Sequence, residues 1–344
     1  MMDKGSGLVG IMVANQYERK YALQKYLNCN TTHMKLFCFT PDDIDWKRNS
    51  ISGIHRINRK WLLSKFPFPD VVYNRCYRFN PKIIERLGKI IGRDKCFNHI
   101  NQFNKHEIHI HLSQWLAQYL PETILYDREN VLSLLDTHKV LYVKPCYGNK
   151  GKSVYRVEVK DSKEIHIGEH HFSPKIIVKD PLQFQVSIDK LVGSTPYIIQ
   201  KGVDIQPLNE QVFDIRVLAQ KNKRGQWSAT NVISRLAHKG FFNTSMCEKV
   251  CLSEKALKQL YPPDKVNEII RSIYDISLRA AEIIEMGTHC HLGELSVDLV
   301  LDSAGFLWII EVNGKPQKEL YDEIDKRDRV YKRPLEYARY LRKK

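Results

Sequence analysis

The sequence predicts an α/β protein in which a small parallel α/β domain precedes a larger part built from antiparallel sheets with flanking helices. Near the N-terminus, apolar runs at residues 8–13 and 34–40 have the pattern of buried strands. They enclose a helical pattern at residues 17–27, an order typical of a parallel sheet. Near the C-terminus, residues 293–315 contain two apolar runs separated by Ser303-Ala304-Gly305, which is typical of an antiparallel hairpin.

Composition restricts the possible functions before any motif is considered. The chain has 344 residues and a net charge of +15, which indicates an acidic partner or an anionic ligand such as a nucleotide, a nucleic acid or a polyanionic surface. No apolar run reaches the roughly 20 residues of a membrane span, and residues 1–16 lack the pattern of a signal peptide. Eight scattered cysteines without a CxxC pair favour reduced thiols and a cytoplasmic protein. The basic cluster at residues 326–344 is interpreted as a solvated tail helix.

The rest of the N-terminal part continues the alternation of strands and helices. Residues 69–75 predict a third strand, and residues 81–91 predict a helix with proline in its first turn. The intervening stretch 41–68 is polar and poorly patterned, and no element is predicted there. No GxGxxG motif follows the first strand, so a dinucleotide site is not expected. We place this domain at residues 1–98 and the second part at residues 99–344.

A lysine and a glycine-rich loop mark the middle of the chain. After a predicted helix at residues 105–120, the strand 140–145 ends in VKP, and the sequence GNKGKS then leads into a second strand at 154–159. A Walker loop is excluded because Cys146 stands where glycine is needed and because a strand follows. Glycines and lysines here could hold phosphate oxygens, and a basic surface hairpin is the alternative.

Further elements follow in regular order. We predict a polar loop at residues 166–171 and a helix at 181–192, then strands at 196–202, 212–220 and 227–236, and a long amphipathic helix at 264–286. Asp214 and Arg216 share one face of their strand, and Arg235 lies on the next strand.

The C-terminal hairpin carries a candidate metal site. If Ala304-Gly305 is a two-residue loop, Asp298 lies opposite Glu311, and Ser296 lies opposite Asn313. Two opposed carboxylates repel, so at least one should be easier to protonate. A divalent cation would reverse that interaction, and oxygen ligands of this kind suit Mg²⁺ or Mn²⁺. A solvated acidic face on an edge hairpin is the alternative.

The order of these parts resembles the ATP-grasp superfamily, and more closely the YheC/YheD family of endospore coat-associated proteins. The resemblance spans nearly the whole chain, and it depends on the order and spacing of its motifs more than on any single one. The motifs are PDVVYNR at 69–75, YLPET at 119–123, YVKP with its glycine loop, FDIRVLAQ at 213–220, NVISRLA at 231–237 and GELSVDLVLD followed by LWIIEVNGKP.

The resemblance implies a pre-ATP-grasp domain followed by two subdomains, at residues 99–195 and 196–344, with ATP bound between them. On the phosphates, the resemblance implies Lys144, with Lys105 as an earlier phosphate lysine, and above them the loop Gly148, Asn149, Lys150, Gly151, Lys152 and Ser153. It implies Gln200, Lys201 and Val203 at the adenine, and Asp298, Glu311 and Asn313 as the metal ligands. Arg235 would hold the γ-phosphate or an acyl phosphate. The implied cofactors are therefore ATP and Mg²⁺ or Mn²⁺.

The implied reaction is carboxylate–amine ligation through an acyl phosphate, with substrates that the sequence does not name and with spore-coat proteins as candidate partners.

Two departures affect the acceptor chemistry. The segment 240–248 has Asn243 but no Gly-Gly pair, and Ser296 stands where some ligases carry arginine. A structural spore-coat protein with weak or no turnover is therefore a second hypothesis. A nucleic-acid binder ranks last, because no aromatic-rich basic motif is present.

Overall fold

The computed structural model describes residues 7–77, 81–324 and 327–344. Within these ranges the chain forms three β-sheets with helices packed against them, which confirms the predicted α/β class with a parallel sheet followed by antiparallel ones. The first six residues of the predicted N-terminal domain, and Lys326 of the predicted basic cluster, lie outside the described residues.

The first sheet has a parallel centre in the order β2-β1-β6-β7, to which an antiparallel extension is added at the β2 edge. Its elements are β1 Leu8–Met12, α1 Glu18–Asn28, β2 Lys35–Phe39, β3 Ile44–Asp45, β4 Ser50–Ile57, β5 Lys60–Pro67, β6 Val71–Asn74, α2 Lys82–Ile91 and β7 Cys96–Phe97. The extension β3 to β5 occupies the stretch where no element was predicted. Its β4–β5 hairpin turns at Asn58-Arg59, both with positive φ, which is the turn type that suits a two-residue hairpin.

The middle sheet is antiparallel throughout, in the order β12-β11-β10-β9-β13-β8. Its strands and the helices connected to them are α3 Lys105–Leu116, β8 Thr123–Leu125, α4 Asn130–His138, β9 Val140–Pro145, β10 Tyr155–Val159, β11 Ile165–Glu169, β12 Ile176–Val178, α5 Pro181–Val192 and β13 Tyr197–Lys201. Helices α4 and α5 bury Val131, Leu135, Phe184 and Ile188 against it. Because β13 pairs with β9, this sheet extends past residue 195, where the first subdomain was predicted to end.

The prediction of a polar loop at residues 166–171 is wrong for its first four residues, which lie in β11. Ile165 and Ile167 alternate into the core of the middle sheet, and the intervening polar side chains face outward. The period-two alternation was hidden by the histidines, because a half-exposed strand face accepts polar residues as readily as a loop does.

The third sheet is antiparallel in the order β16-β15-β14-β17-β18, and α3 and α7 cover one of its faces. Its elements are β14 Phe213–Lys221, β15 Trp227–Ala237, β16 Cys247–Leu252, α6 Ser253–Leu257, α7 Pro263–Thr288, β17 Glu294–Leu301, β18 Leu307–Asn313 and the final helix α8 Asp328–Lys343. No helix in the described ranges is both long enough and apolar enough to cross a membrane.

Helix α8 corrects the interpretation of the C-terminus as a solvated tail. Val330, Leu335, Ala338 and Leu341 recur at helical spacing and are buried against the first sheet, in one core with Val9 and Ile11. The lysines and arginines of α8 lie mainly on the opposite face. The last element of the chain therefore completes the N-terminal layer, and the charge of the segment obscured its apolar stripe.

Candidate functional site

A cleft of about 820 Å³ runs between the middle and third sheets and continues to the first sheet. Ten lysine or arginine side chains and five carboxylates line it, so its charge favours an anionic ligand. Of the predicted site residues, Ser153 alone does not line the cleft. The others that line it are Lys105, Lys144, Gly148, Asn149, Lys150, Gly151, Lys152, Gln200, Lys201, Val203, Arg235, Asp298, Glu311 and Asn313.

The glycine loop connects β9 to β10 and lies against the third sheet's side of the cleft. Gly151 has φ of +64°, and a Cβ atom there would lie 1.8 Å from the Nδ2 atom of Asn243. Asn243 Nδ2 donates to the carbonyl oxygen of Gly151 over 3.4 Å. A larger residue at Gly151 would have to displace the Asn243 amide and would be strained at this positive φ, so glycine favours a loop whose backbone lies close to the cleft.

Two lysines flank this loop at the base of the cleft. Lys144 Nζ donates to Gln200 Oε1 at 2.5 Å, and burial lowers the pKa of Lys144 to about 8, although the nearby Glu311 opposes that shift. Lys105 Nζ lies 3.1 Å from Glu311 Oε1 and 3.4 Å from the carbonyl oxygen of Gly148. Two ammonium groups beside a glycine loop have the charge that suits phosphate oxygens.

The predicted adenine segment lies where β13 leaves the middle sheet. Gln200 is buried, and its side-chain nitrogen Nε2 also donates to Thr123 Oγ1 at 3.1 Å. Lys201 and Gly202 use their N–H groups on neighbouring carbonyl oxygens. Among the described residues, no hydrogen bond satisfies the N–H or C=O group of Val203, which lines the cleft. A ring that carries one hydrogen-bond acceptor and one donor can pair there with the N–H and C=O groups of Val203.

The strand register places Asp298 opposite Glu311 and Ser296 opposite Asn313, as predicted. The two-residue turn used to derive that register is wrong. Leu301 pairs with Leu307, and the N–H of Asp302 donates to the carbonyl oxygen of Phe306, so the turn is longer by one residue. A β-bulge at Ile310 adds one residue to β18 and restores the register before Glu311.

Asp298 is neutralised by arginines, contrary to the prediction of a repulsive acidic cluster. Arg216 lies directly across the ladder and donates from Nε to Oδ1 at 2.7 Å and from Nη2 to Oδ2 at 2.5 Å. Arg235 Nη2 adds a third contact to Oδ2 at 3.1 Å. Burial disfavours the charged carboxylate, but these guanidinium groups outweigh it and hold the pKa of Asp298 below its ordinary value.

The same network holds Arg235, which the resemblance placed at the transferred phosphate. Arg235 is 5% exposed and lines the cleft, and its Nε and Nη2 atoms donate to Asp214 across the ladder. Thr244 Oγ1 also donates to Asp214, at 2.6 Å. Asp214 and Asp298 outweigh the effect of burial and raise the pKa of Arg235. Its Nη1 atom has no partner among the described residues, so it can contact a ligand.

Sequence reasoning assigned no role to Arg216 or Thr244. The signal for Arg216 was present, since Asp214 and Arg216 alternate on one face of β14, and β14 pairs with the strand that carries Asp298. Which strand neighbours β17 depends on the fold, so the pairing could not be read from spacing. Thr244 lies in an irregular segment with no periodic signal.

The donor set fits a hard cation only together with an anionic ligand. No group of three or more His, Cys, Asp or Glu side chains with the geometry of a metal site occurs in the described parts of the chain. Asp298, Glu311 and Asn313 provide two carboxylates and an amide oxygen, which suit Mg²⁺. Each carboxylate already faces a cation. A triphosphate would supply negative charge to the surrounding lysines and arginines, and it would itself ligate the metal ion, so we expect the two to bind together.

The two antiparallel sheets, the glycine loop between them and the acid-bearing hairpin at the base of the cleft define an ATP-grasp protein. The chain belongs to the family described as YheC/D-like ATP-grasp, which residues 93–341 match. It is 25% identical over 333 residues to the endospore coat-associated protein YheD of Bacillus subtilis (strain 168), covering 90% of this chain and 71% of that protein. Identity to YheC of the same organism is 24% over 355 residues, covering 96% and 94%.

A solved structure supports the fold assignment. The D-alanyl-alanine synthetase A of Vibrio cholerae O1 biovar eltor str. N16961 superposes with a TM-score of 0.56 at 12% identity, and the match covers 95% of this chain and 96% of that one. At this identity the likeness concerns the fold, and the chemistry depends on the residues of the cleft.

Proposed function

We propose that this protein is an ATP-dependent carboxylate–amine ligase that binds Mg²⁺-ATP and acts through an acyl phosphate. One observation carries the proposal: Lys105, Lys144, the glycine loop and the Asp298–Glu311–Asn313 hairpin line a single cleft between two sheets. Phosphate-binding cations and oxygen ligands for a metal are the groups that phosphoryl transfer needs. The fold shared with a protein named as a D-alanyl-alanine synthetase supports the same class of reaction.

In the proposed reaction, a substrate carboxylate oxygen attacks the γ-phosphorus, and the bond to the β-phosphate oxygen breaks to release ADP. An amine then attacks the acyl carbon, phosphate leaves, and the nitrogen loses a proton. Lys144 and Lys105 would hold phosphate oxygens, and the free Nη1 of Arg235 would stabilise charge on the transferred group. Magnesium held by Asp298, Glu311 and Asn313 would supply charge neutralisation and polarisation of phosphate oxygens.

A second candidate is a spore-coat protein that binds ATP with weak or no turnover. The buried double pairing of Asp298 with Arg216 and Arg235 favours it, because a carboxylate committed to two guanidinium groups is a poorer metal ligand. The segment after Arg235, which contains Asn243 without a Gly-Gly pair, favours it too. The names of the YheC and YheD relatives suggest association with the endospore coat and coat proteins as partners for either candidate.

The deciding experiment measures phosphate release from Mg²⁺-ATP with a panel of amino acids, including D-alanine, and short peptides. A ligase should be stimulated by particular compounds, and Lys144→Ala should abolish the stimulation. Lys89→Ala, at an exposed position of α2, is the matched control. The melting temperature is measured in parallel, since a ligand that binds the folded state raises it. A nucleotide-dependent shift without stimulation would favour the second candidate, and the absence of any shift would refute both.

A further inference from the structure

Metal binding at Asp298 would disturb the arginine network that neutralises this carboxylate. Its Oδ2 atom accepts from Nη2 of both Arg216 and Arg235, and its Oδ1 atom accepts from Nε of Arg216. A divalent cation on Asp298 would lie beside two guanidinium groups and repel them. We therefore expect at least one arginine to withdraw from Asp298 when metal binds, so the network needs a second arrangement.

Arg216 is the arginine that would lose most in such a change. Arg235 keeps its two bonds to Asp214 whatever happens at Asp298. By contrast, all guanidinium hydrogen bonds of Arg216 within the described ranges go to Asp298, and Arg216 is 7% exposed. A buried guanidinium group without a partner is strongly unfavourable. The metal-bound arrangement therefore needs a new acceptor for Arg216.

A buried tyrosine with an unused hydroxyl lies near this network. Tyr321 ends a short 3₁₀ helix, Lys318–Tyr321, after β18, and it is fully buried. Its Oη atom has no hydrogen-bond partner among the described residues. The charged groups close enough to act on the phenol are those of the network, namely Arg216, Asp298, Arg235 and Asp214. Burial raises the pKa of Tyr321, so the phenol stays neutral, and its oxygen can accept a hydrogen bond.

Strand alternation places Tyr321 on the same side of the third sheet as Arg216. Arg216 and Leu218 are two residues apart on β14 and share a face, and Leu218 and Tyr321 belong to one buried cluster. Ser296 lies opposite Leu218 and therefore diagonally across the ladder from Arg216. Its Oγ atom is also buried and has no partner in the part of the chain that the structure describes. Two unused hydroxyls thus lie near the Arg216 side chain.

We propose that Tyr321 is a positioning residue for the metal site, whose Oη atom accepts from Arg216 when Asp298 turns toward the cation, with Ser296 Oγ as a second acceptor. The inference rests on the proposed binding of Mg²⁺-ATP and adds to it a residue that does not line the cleft. Buried polar atoms without partners are rare in native proteins, and a second arrangement that uses these two hydroxyls accounts for both.

Two competing explanations give different results in the test. Arg216 lines the cleft, so phosphate oxygens of the nucleotide are alternative acceptors for it. Alternatively, a buried water molecule that bonds to Tyr321 and Ser296 would satisfy both hydroxyls before any metal binds. In the first case the Tyr321 hydroxyl has no effect on metal binding, and in the second its removal costs stability.

The test is equilibrium titration of the full chain with a non-hydrolysable ATP analogue, with and without Mg²⁺, in the wild type and in Tyr321→Phe. The substitution removes one oxygen atom and keeps the ring. Loss of a hydrogen bond to a charged group should weaken binding in the presence of Mg²⁺ roughly tenfold or more, and binding without Mg²⁺ should be unchanged. Urea unfolding of metal-free Tyr321→Phe should give an equal or higher midpoint, because a buried hydroxyl without a partner has been removed.

Tyr126→Phe is the matched control, because Tyr126 lies outside the cleft and donates to Asp189 at 2.7 Å. It should lower the urea midpoint and leave the Mg²⁺ dependence of binding intact. Ser296→Ala is a second variant, which should repeat the pattern of Tyr321→Phe with a smaller loss of affinity. A role in folding alone would change stability and not the difference between binding with and without Mg²⁺.

Equal Mg²⁺ dependence in the wild type and in Tyr321→Phe would overturn the inference, leave the proposed nucleotide site intact and favour phosphate oxygens as the acceptors for Arg216. A clearly lower urea midpoint for metal-free Tyr321→Phe would also overturn it, because the hydroxyl would then already be hydrogen-bonded. Failure of the wild type to bind the analogue would refute the proposed function, and this inference with it, before any variant is compared.

Discussion

Replacing Asp298 by asparagine tests whether its carboxylate holds the third sheet together. The substitution keeps the shape of the side chain but removes the charge that Arg216 and Arg235 share. The new amide can accept from one guanidinium group, and its NH₂ group then faces another donor. Asp214 remains as the single buried carboxylate for two buried arginines. The hairpin prediction from sequence expected relief of repulsion here, and the structure predicts the opposite sign.

The size of the effect follows from burial. Asp298 is 4% exposed and Arg235 is 5% exposed, and breaking a buried pair on one side costs about 3–5 kcal/mol of unfolding free energy. Glu311 gives the contrast, because its pair with Lys105 joins side chains that are 28% and 15% exposed. Glu311→Gln should therefore cost no more than about 1 kcal/mol.

Urea unfolding of the metal-free protein measures this difference. Asp298→Asn should shift the midpoint to clearly lower urea, and Glu311→Gln should stay close to wild type, as should the exposed control Glu210→Gln. If Asp298→Asn and Glu311→Gln agreed within about 0.5 kcal/mol, the size of a neutral surface change, the argument from the arginine network would be refuted. Magnesium titration of ATP affinity then uses Glu311→Gln, whose stability should stay close to that of the wild type. An unchanged Mg²⁺ dependence there would refute the metal assignment.

Three further predictions use other parts of the molecule. Because burial lowers the pKa of Lys144 to about 8, ATP affinity should fall as the pH is raised through that value. Lys144→Arg should remove this pH dependence because arginine stays charged. Equilibrium titrations with ATP at several pH values measure the affinity. Lys318→Met should lower the free energy of unfolding by about 3–5 kcal/mol, because Lys318 pairs with Glu294 at 2.7 Å in a buried site. The double variant with Glu294→Gln should lose less than the sum of the two single losses, and urea unfolding measures all three. DNA binding should be weak at physiological ionic strength, with a logarithmic salt slope near one per phosphate contact, and sub-micromolar affinity there would support the nucleic-acid hypothesis.

Periodicity predicted the elements that are buried on at least one full face. Strands such as β1 and β14, and helix α7, have long apolar patterns and appear close to their predicted bounds. The β4–β5 hairpin was missed because most residues of β5 are exposed, so its apolar residues did not have to alternate regularly with polar ones. Its signal was local, in the Asn58-Arg59 turn.

The interpretation of helix α8 as a solvated tail was wrong for a different reason. Its charge was obvious and its apolar positions were correct for a helix, yet what those positions cover is a sheet about 300 residues earlier in the chain. Spacing within a segment indicates that a face is buried and does not name the layer that buries it. The same limit applies to the two arginines at Asp298, which lie on β14 and β15.

The C-terminal hairpin separates what register can and cannot predict. The predicted turn was one residue too short, and the bulge at Ile310 added one residue in compensation, so Asp298 and Glu311 still face each other. Side chains must alternate between core and cleft, and a slip of one residue would have buried Glu311 and exposed Val312. The core requirement therefore determined the register at the site, and the turn adjusted to it. The charged partners of Asp298 do not follow from this alternation. Arg216 reaches Asp298 because β14 lies beside β17, and only the folded sheet determines which strands are neighbours. The register of the candidate ligand residues was predictable from the hairpin alone, and the arginines that neutralise Asp298 were not.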